Sequence, residues 1–292
     1  MKKIGVVILS YKNTCDTIEC LESIHNVNVD DYILRIILVD NSENDVYAKE
    51  IKKVCPYLSD VILCKNDGYS AGNNNGIRAA LEDSCDYVVV INNDTVVDKD
   101  FLMPLINALN RNPKSLVAPM IYNFYTKRVW SSGGKFRPYF GDYRMLYDYF
   151  KADFRKTQFI SGCCFATTST LLKDIGLLNE NYFMYCEDND FCKRVLNRNY
   201  DMFVLKDSTI YHKVGASTKG YNEFQLYYIY RNRLFFCRSY FKGLYKSHCI
   251  FVNKARAFLK MIIYKIRGKK NLAKALSNAI KDSKHIEGVR RY

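Results

Sequence analysis

The chain has 292 residues, of which 48% are hydrophobic and 25% charged, so it can bury a full core and is not disordered as a whole. This length suits one large α/β domain with an appendage. The net charge of +14 lies at one end, because residues 233–292 hold 16 basic and 2 acidic side chains and residues 1–232 hold 28 of each (44 − 16 and 30 − 2). A neutral body argues against a wide nucleic-acid-binding face.

The eleven cysteines include no Cys-x-x-Cys pair, so a zinc ribbon is not expected. The first residues, 1–5, lead into a short strand and lack the apolar region and cleavage site of a signal peptide. We therefore expect reduced, mostly buried thiols and a cytoplasmic protein, with a peripheral position on the inner face of the plasma membrane as an alternative. No segment approaches the roughly 20 apolar residues that span a bilayer.

Short apolar runs alternate with helical patterns over the first 110 residues. This alternation predicts an α/β fold with a doubly wound, mainly parallel sheet and helices on both faces. Because parallel strands end at a common edge, the polar residues that follow four of the strands predict a ligand crevice there. The predicted strands are 4–9, 34–39, 61–64 and 87–91, and the predicted helices are 14–24, 47–54 and 71–81.

The second half of the chain has a less regular pattern. Residues 113–157 are rich in aromatic residues, and their pattern favours strands and loops. Further predicted elements are a strand over 159–167, a helix over 187–197, extended segments over 202–205 and 209–212, and helices from 224 onward. We expect a catalytic domain over 1–240 and a basic amphipathic helical tail over 241–292.

The strand 87–91 runs directly into Asn92, Asn93 and Asp94. Its unbroken β-branched character predicts a strand covered on both faces. Oxygen donors at such a strand end suit Mg²⁺ or Mn²⁺ bound to a diphosphate, although a simple Asn/Asp turn is the alternative. His212 could bind the same cation as a neutral imidazole, which would favour Mn²⁺, but a lone histidine is more often structural.

Two other strand ends carry candidate nucleotide ligands. Asp40 can accept hydrogen bonds from a ribose hydroxyl or a base N–H, or it can cap a turn. The segment 66–76 contains three glycines and three consecutive asparagines, and the helix N-terminus beside it offers N–H groups to phosphate. It is neither a Walker loop nor a dinucleotide fingerprint, and a loop with asparagine caps is the alternative.

Three carboxylates fall within four residues, at Glu187, Asp188 and Asp190. Acidic residues at a helix start can simply complement the helix dipole. Because they also repel one another, at least one is expected to have a raised pKa where it is partly buried, which suits a general base. Asp190 and Arg194 are spaced i,i+4 and can pair, which would leave Asp188 free for chemistry.

Together these motifs resemble the inverting glycosyltransferases of family 2, which have the GT-A nucleotide-sugar-binding fold. The resemblance is greatest to bacterial rhamnosyltransferase-like and galactofuranosyltransferase-like members. It covers residues 3–240 and depends on the order and spacing of the motifs more than on any one of them. The motifs are residues 7–11, 39–42, 66–76, 92–94, Gly162, 179–194 and 212–217.

The resemblance implies a nucleoside-diphosphate-sugar donor, a saccharide acceptor (lipid-linked in one alternative) and a role in surface polysaccharide synthesis. Asp188 would deprotonate the acceptor hydroxyl, and Asp94 with His212 would hold Mn²⁺ or Mg²⁺. Asn92 occupies the first position of the family's Asp-x-Asp-like metal motif, so Asp94 is its only carboxylate. The implied donor ligands are Ser10, Asp40, Asn66, Gly72, Asn73, Asn93 and Asp94, and the implied acceptor contacts are Trp130, Gly162 and Glu187.

The basic tail allows two interpretations. Residues 243–267 place apolar side chains at helical spacing between lysines and arginines. The helix could pack on the body with a solvated basic face, or it could lie on an anionic membrane surface.

Two other functions are compatible with parts of the sequence. A sugar-phosphate nucleotidyltransferase requires a glycine-rich loop after the first strand, where residues 10–14 contain no glycine. A nucleic-acid-binding protein could use the tail, but no recognised motif for it is present and no nucleic-acid partner is expected.

Overall fold

The computed structural model describes residues 1–213 and 222–284. All seven elements predicted for the first 91 residues are present, with ends that differ by two residues at most. The first part of the chain contains β1 (Lys3–Ser10), α1 (Thr14–His25), β2 (Ile33–Asp40), α2 (Val46–Val54), β3 (Asp60–Leu63), α3 (Tyr69–Glu82), β4 (Tyr87–Asn92), β5 (Thr95–Val97), α4 (Leu102–Arg111) and β6 (Ser115–Asn123).

The remaining elements complete the sheet and add a C-terminal helical unit. They are β7 (Val129–Ser131), β8 (Gly134–Arg137), β9 (Asp142–Met145), β10 (Phe154–Lys156), β11 (Cys164–Thr168), α5 (Ser169–Ile175), α6 (Glu187–Asn197), β12 (Asp201–His212), α7 (Glu223–Tyr240), α8 (Gly243–Ile266) and α9 (Lys270–Asp282).

One large sheet organises the body, with the strand order β10-β12-β6-β11-β4-β1-β2-β3. Six of these eight strands run in one direction, and β11 and β10 run the other way. The chain moves outward from β1 through β2 to β3 and then crosses to β4 on the other side of β1. This reversal of strand order is the position at which open α/β sheets form a ligand crevice.

Helices cover both faces of the sheet, as the sequence predicts. One core holds side chains of α1, α2 and α4, and the other holds side chains of α3, α5 and α6. Helix α3 lies very close to β1, because a Cβ on Gly72 would stand 2.5 Å from Leu9 Cδ1 and one on Gly76 would stand 2.3 Å from Val7 Cγ1. These glycines therefore set the helix–sheet spacing under the predicted crevice.

The predicted strand over 159–167 begins too early. The strand β11 starts only at Cys164, and Phe159 forms an isolated bridge to Gly134. The residues between them are held by side chains from elsewhere: Cys192 accepts a hydrogen bond from the Ile160 N–H, and Tyr69 donates one to the Gly162 carbonyl. These long-range hydrogen bonds outweigh the local β pattern, so residues 160–163 do not join the sheet and instead border the crevice.

The C-terminal helices α7, α8 and α9 pack on one another and on the body. Within the described residues, no helix is both long and apolar enough to cross a bilayer. All eleven cysteines are free and nine are buried, as expected for structural thiols.

Candidate active site

A cleft of about 480 Å³ opens at the C-terminal ends of β1, β2 and β3, where the sequence predicts it. Lys12 follows β1 and Ser42 follows β2 on its wall, and Asn66 borders it after β3. Phe183 and Phe224 close it from the far side. Sequence reasoning missed these two aromatic residues because they reach the cleft from segments more than 100 residues away.

Asp40 is fully buried beside this cleft. Its Oδ1 accepts a hydrogen bond from the Ser42 N–H at 2.9 Å, while its Oδ2 has no hydrogen-bond partner among the described residues. A buried carboxylate oxygen without a donor costs free energy. The arrangement suits a ligand that brings an N–H or O–H group to Oδ2.

The other predicted donor ligands differ in how they are placed. Asn66 lines the cleft, whereas Gly72 and Asn73 lie inside α3, and Asn73 donates to the Tyr69 carbonyl at 2.9 Å. Ser10 and Asn93 meet through one hydroxyl, since Thr17 Oγ1 lies 3.0 Å from Ser10 Oγ and accepts from Asn93 Nδ2 at 2.8 Å. This network joins the end of β1 to the turn that carries the predicted metal ligand.

That metal ligand, Asp94, is paired with His212. The pairing of β12 with β5 sets His212 opposite Thr95, and the Lys213 N–H donates to the Asp94 carbonyl. As a result, His212 Nε2 lies 3.1 Å from Asp94 Oδ1. Burial lowers the pKa of His212, but Cys163 and Asp94 beside the ring raise it more, to about 10.

The distance between these two atoms fits adjacent ligands of one cation, because two ligands at about 2.1 Å and a right angle are about 3.0 Å apart. No group of three or more His, Cys, Asp or Glu side chains suited to a metal occurs in residues 1–213 and 222–284. Two protein ligands are nevertheless the usual number where phosphate oxygens complete the shell of Mg²⁺. The donor set therefore fits a cation that arrives with a diphosphate.

Trp130 stands against the metal pair, with its ring 4.6 Å from the His212 ring at an angle of 80°. Contact with an acceptor remains a prediction for this residue. Residues 214–217 of the histidine motif lie outside the described residues.

Asp188 lies in the first turn of α6, and within the described residues its hydrogen-bond partners are backbone groups alone. The N–H groups of Gly162 and Asn189 donate to its two oxygens at 3.3 and 2.8 Å. Burial raises the pKa of Asp188 to about 6, and these two hydrogen bonds limit the rise. Such a carboxyl is ionised at neutral pH yet more basic than an ordinary aspartate, as a general base should be.

The two neighbouring carboxyls have different environments. Glu187 is buried, and burial followed by repulsion from Asp188 raises its pKa well above the usual range. Asp190 pairs with Arg194 at 2.8 Å and accepts a hydrogen bond from the Tyr240 hydroxyl at 2.8 Å. The predicted i,i+4 pair is therefore confirmed, and it leaves Asp188 and Glu187 as the carboxyls that pair with no cation of this helix.

The dipeptide Gly162–Cys163 lies between Asp188 and the Asp94–His212 pair. Gly162 contacts Asp188 through its N–H, and the Cys163 side chain lies beside His212. The Tyr69 hydroxyl, which belongs to a residue of the cleft wall, donates to the Gly162 carbonyl at 2.6 Å. Tyr69 and this dipeptide therefore connect the cleft wall to Asp188 and to the Asp94–His212 pair.

The start of α6 is strained, and sequence reasoning missed the residue that holds it. Tyr185 and Cys186 both have left-handed backbones, with φ of 69° and 70°. The buried Asn232 of α7 donates to the carbonyls of Met184 and Tyr185 at 2.9 and 2.8 Å. Such φ values cost about 1–3 kcal/mol each and persist only where the surroundings enforce them. Asn232 therefore fixes the turn that presents Asp188.

Comparison with known proteins identifies related chains. The profile of glycosyl transferase family 2 matches residues 5–176. The hexosyltransferase Agl10 of low-salt glycan biosynthesis from Haloferax volcanii is 25% identical over 244 residues, which is 82% of this chain and 76% of Agl10. The rhamnosyltransferase WbbL of Escherichia coli is 22% identical over 191 residues, which is 59% of this chain and 70% of WbbL.

Solved structures support the fold. A crystal structure of GalNAc-T7 with UDP, GalNAc and Mn²⁺ superposes with a TM-score of 0.71 at 12% identity, over 97% of this chain and 56% of that one. The S. aureus protein TarS superposes with a TM-score of 0.56 at 14% identity, over 92% of this chain and 43% of that one. This chain spans about half the length of these two proteins, and the likeness confirms the predicted sheet architecture with its covering helices.

Proposed function

Because this chain belongs to glycosyl transferase family 2, we propose that its crevice transfers a sugar, with inversion, from a nucleoside diphosphate to an acceptor hydroxyl. The observation that carries the proposal is the Gly162–Cys163 dipeptide, which sets a carboxyl of raised pKa on one side and the Asp94–His212 pair on the other. The family match favours this function over a sugar-phosphate nucleotidyltransferase or a nucleic-acid-binding protein.

Asp188 accepts the proton of the acceptor hydroxyl. The oxygen then attacks the anomeric carbon while the bond from that carbon to the diphosphate breaks on the opposite face. Inversion needs only this one base, because no covalent sugar–enzyme intermediate forms. The N–H groups of Gly162 and Asn189 hold the carboxylate in position without neutralising it. Burial and repulsion from Asp188 raise the pKa of Glu187 and so favour its protonated form, which can donate to an acceptor oxygen.

The leaving diphosphate lies at the other side of the dipeptide. A divalent cation held there by Asp94 and His212 would neutralise the charge that develops on the departing phosphate oxygen. Mn²⁺ fits the mixed oxygen and nitrogen ligands better than Mg²⁺. Trp130 packs on His212 and limits the orientations of the ring, so it bounds the sugar-binding space between cation and base.

The nucleoside occupies the cleft at the ends of β1, β2 and β3. Asp40 Oδ2 accepts from the base or ribose, and Asn66 supplies an amide on the cleft wall. Ser10, Gly72, Asn73 and Asn93 act mainly by holding β1, α3 and the Asp94 turn in register, which their internal contacts support. Lys12, which sequence reasoning did not single out, lies on the same wall and can meet a phosphate.

The acceptor is a saccharide, and we propose that it is lipid-linked. The protein then works in the cytoplasm at the inner face of the plasma membrane. The charge of the C-terminal region supports this location, since the whole net charge of +14 lies in residues 233–292. In this proposal residues 1–240 perform catalysis and residues 241–292 locate the enzyme at the acceptor.

A thermal-shift screen tests the donor side. The protein is heated with each nucleoside diphosphate, with and without Mn²⁺, and Asp94→Ala is treated in the same way. We expect one nucleotide to raise the melting temperature, Mn²⁺ to enlarge the rise, and the enlargement to vanish in Asp94→Ala. Asp98→Ala is the control, because it removes a carboxylate close in the chain but outside the proposed pair. No shift with any nucleotide contradicts the proposal.

A further inference from the structure

Helix α8 is apolar on two opposite faces. One face packs on α7 and α9 and buries Cys249, Val252 and Ala257. The other face exposes large apolar side chains to solvent, although a helix on a protein surface normally presents polar residues there. The most exposed members, with their exposed fractions, are Leu244 (91%), Phe251 (71%), Phe258 (59%), Leu259 (60%), Ile262 (40%), Ile263 (47%) and Ile266 (80%).

These side chains form one continuous row, which we call the α8 stripe. Leu244, Phe251 and Phe258 are seven residues apart, and Ile262 and Ile266 continue the row at intervals of four. Residues at this spacing share a face of a helix. With 24 residues at 1.5 Å each, the helix is about 36 Å long, so the stripe runs along a substantial edge of the molecule.

Positive charge accompanies the α8 stripe. Lys254 and Lys265 lie along its border by helical spacing, and Arg267, Lys269 and Lys270 follow its end. No aspartate or glutamate occurs in the sequence between Glu223 and Asp282. Apolar residues flanked by lysine and arginine are the composition of helices that lie in the interface of an anionic bilayer.

We propose that the α8 stripe docks this protein on an anionic lipid bilayer, with the helix lying in the plane of the membrane. Side chains of such helices enter the boundary between headgroups and acyl chains to a depth of about 5–10 Å. A second copy of the chain is a poorer occupant, because a two-fold contact would bring basic borders together with no carboxylate to pair them. The docking itself does not depend on the transferase chemistry. Its use, to bring the enzyme close to a lipid-linked acceptor, rests on the function proposed above.

Vesicle flotation of the full-length protein tests the docking. The probes are liposomes of phosphatidylcholine alone and liposomes that contain 30% phosphatidylglycerol, an amount of about a third chosen to give a strong negative surface potential. The test variant Phe251→Gln/Phe258→Gln removes two stripe residues. Its matched control, Val54→Gln/Phe154→Gln, removes two apolar residues of similar exposure on the body. Lys254→Gln/Lys265→Gln tests the charge.

We expect the wild-type protein and the body control to float with anionic vesicles and to bind neutral vesicles at least tenfold more weakly. The stripe variant should lose at least tenfold in binding, and the lysine variant should lose its preference for anionic lipid. Equal flotation of the stripe variant, or no flotation of the wild-type protein, overturns the proposal. A dimer in analytical ultracentrifugation that disappears in the stripe variant would instead identify a second copy as the occupant and also overturn it.

Hydrolysis of the nucleotide sugar in solution separates this proposal from the proposed function. We expect the stripe variant to keep the wild-type rate, because α8 contributes no residue to the crevice. A protein that floats but neither binds nor hydrolyses any nucleotide sugar would retain the docking and lose the transferase assignment.

Discussion

The two sides of the crevice place a carboxylate in opposite surroundings. On the proposed diphosphate side, Asp94 stands at a strand end with His212 at 3.1 Å. On the proposed acceptor side, Asp188 starts a helix and, among the described residues, accepts only from two backbone N–H groups. The first environment places a carboxylate oxygen beside an imidazole nitrogen, and both atoms are suited to binding a divalent cation. The second keeps the carboxylate basic, as proton transfer requires.

Two carboxylates in such different surroundings can serve different chemical roles, as we propose for Asp94 and Asp188. Asp188 also differs from the carboxyls next to it in the chain, since Asp190 pairs with Arg194 and burial raises the pKa of Glu187 strongly.

The largest effect is expected for Asp188→Asn, which removes the base and keeps the size of the side chain. The rate of transfer should fall by about 10²–10⁴, the usual contribution of a general base. Nucleotide-dependent thermal stabilisation should stay as in the wild-type protein, because the donor side is untouched. A transfer rate within tenfold of the wild-type value would exclude Asp188 as the base.

The pH dependence of transfer should follow the ionisation of Asp188. The pKa of this carboxyl is raised to about 6, so below that pH the base is protonated and the rate should fall about tenfold per unit. The sign for stability is opposite: a raised carboxyl pKa contributes stability that is present at low pH and is lost as the pH rises through 6. Rates measured in buffers on both sides of pH 6 check this, and a rate that is constant down to about pH 4 contradicts it.

A smaller effect is expected for Asn232→Ala, which frees the carbonyls of Met184 and Tyr185. The free energy of unfolding should fall by about 1–3 kcal/mol, because two buried acceptors lose their donor. The strained turn before α6 should relax and lower kcat about tenfold through poorer placement of Asp188.

Asn253→Ala is the matched control for this change. Asn253 is also fully buried and donates to two carbonyls, those of Phe140 and Cys249, but these lie away from the base. We expect a similar loss of stability without a change in kcat. If both variants lower kcat equally, the turn has no special role.

The smallest effect is expected for Glu187→Gln. Burial and repulsion from Asp188 raise the pKa of Glu187 well above the usual range, which favours the protonated acid, and glutamine resembles that acid in shape and donor capacity. The rate of transfer should therefore remain within about threefold of the wild-type value, and any change should be in the KM for the acceptor. A loss of transfer rate as large as that expected for Asp188→Asn would indicate that Glu187, and not Asp188, is the base.

The strand ends that form the proposed diphosphate side could largely be predicted from sequence. The segments around Asp188 on the proposed acceptor side could be predicted only in part. Strands such as β4 and the polar residues that end them follow from local periodicity, and Asp190 with Arg194 follows from helical spacing. The segment 159–163 was misassigned because its conformation depends on Tyr69 and Cys192, 93 and 32 residues away from their partners.

Asn232 had no sequence signal at all. It lies in a helix whose local pattern gives no reason to single out one asparagine, and its partners are 47 and 48 residues away. The basic residues of the tail were compatible with packing on the body or with a membrane surface, and only the packing of α8 shows which apolar residues remain exposed.

A displacement in one step with Asp188 as the base should invert the anomeric configuration of the transferred sugar. NMR of the anomeric proton, followed from donor to product, measures this directly. We expect the anomeric configuration of the product to be opposite to that of the donor. Retention of configuration would require a second displacement and a nucleophile on the protein, and it would rule out the proposed mechanism.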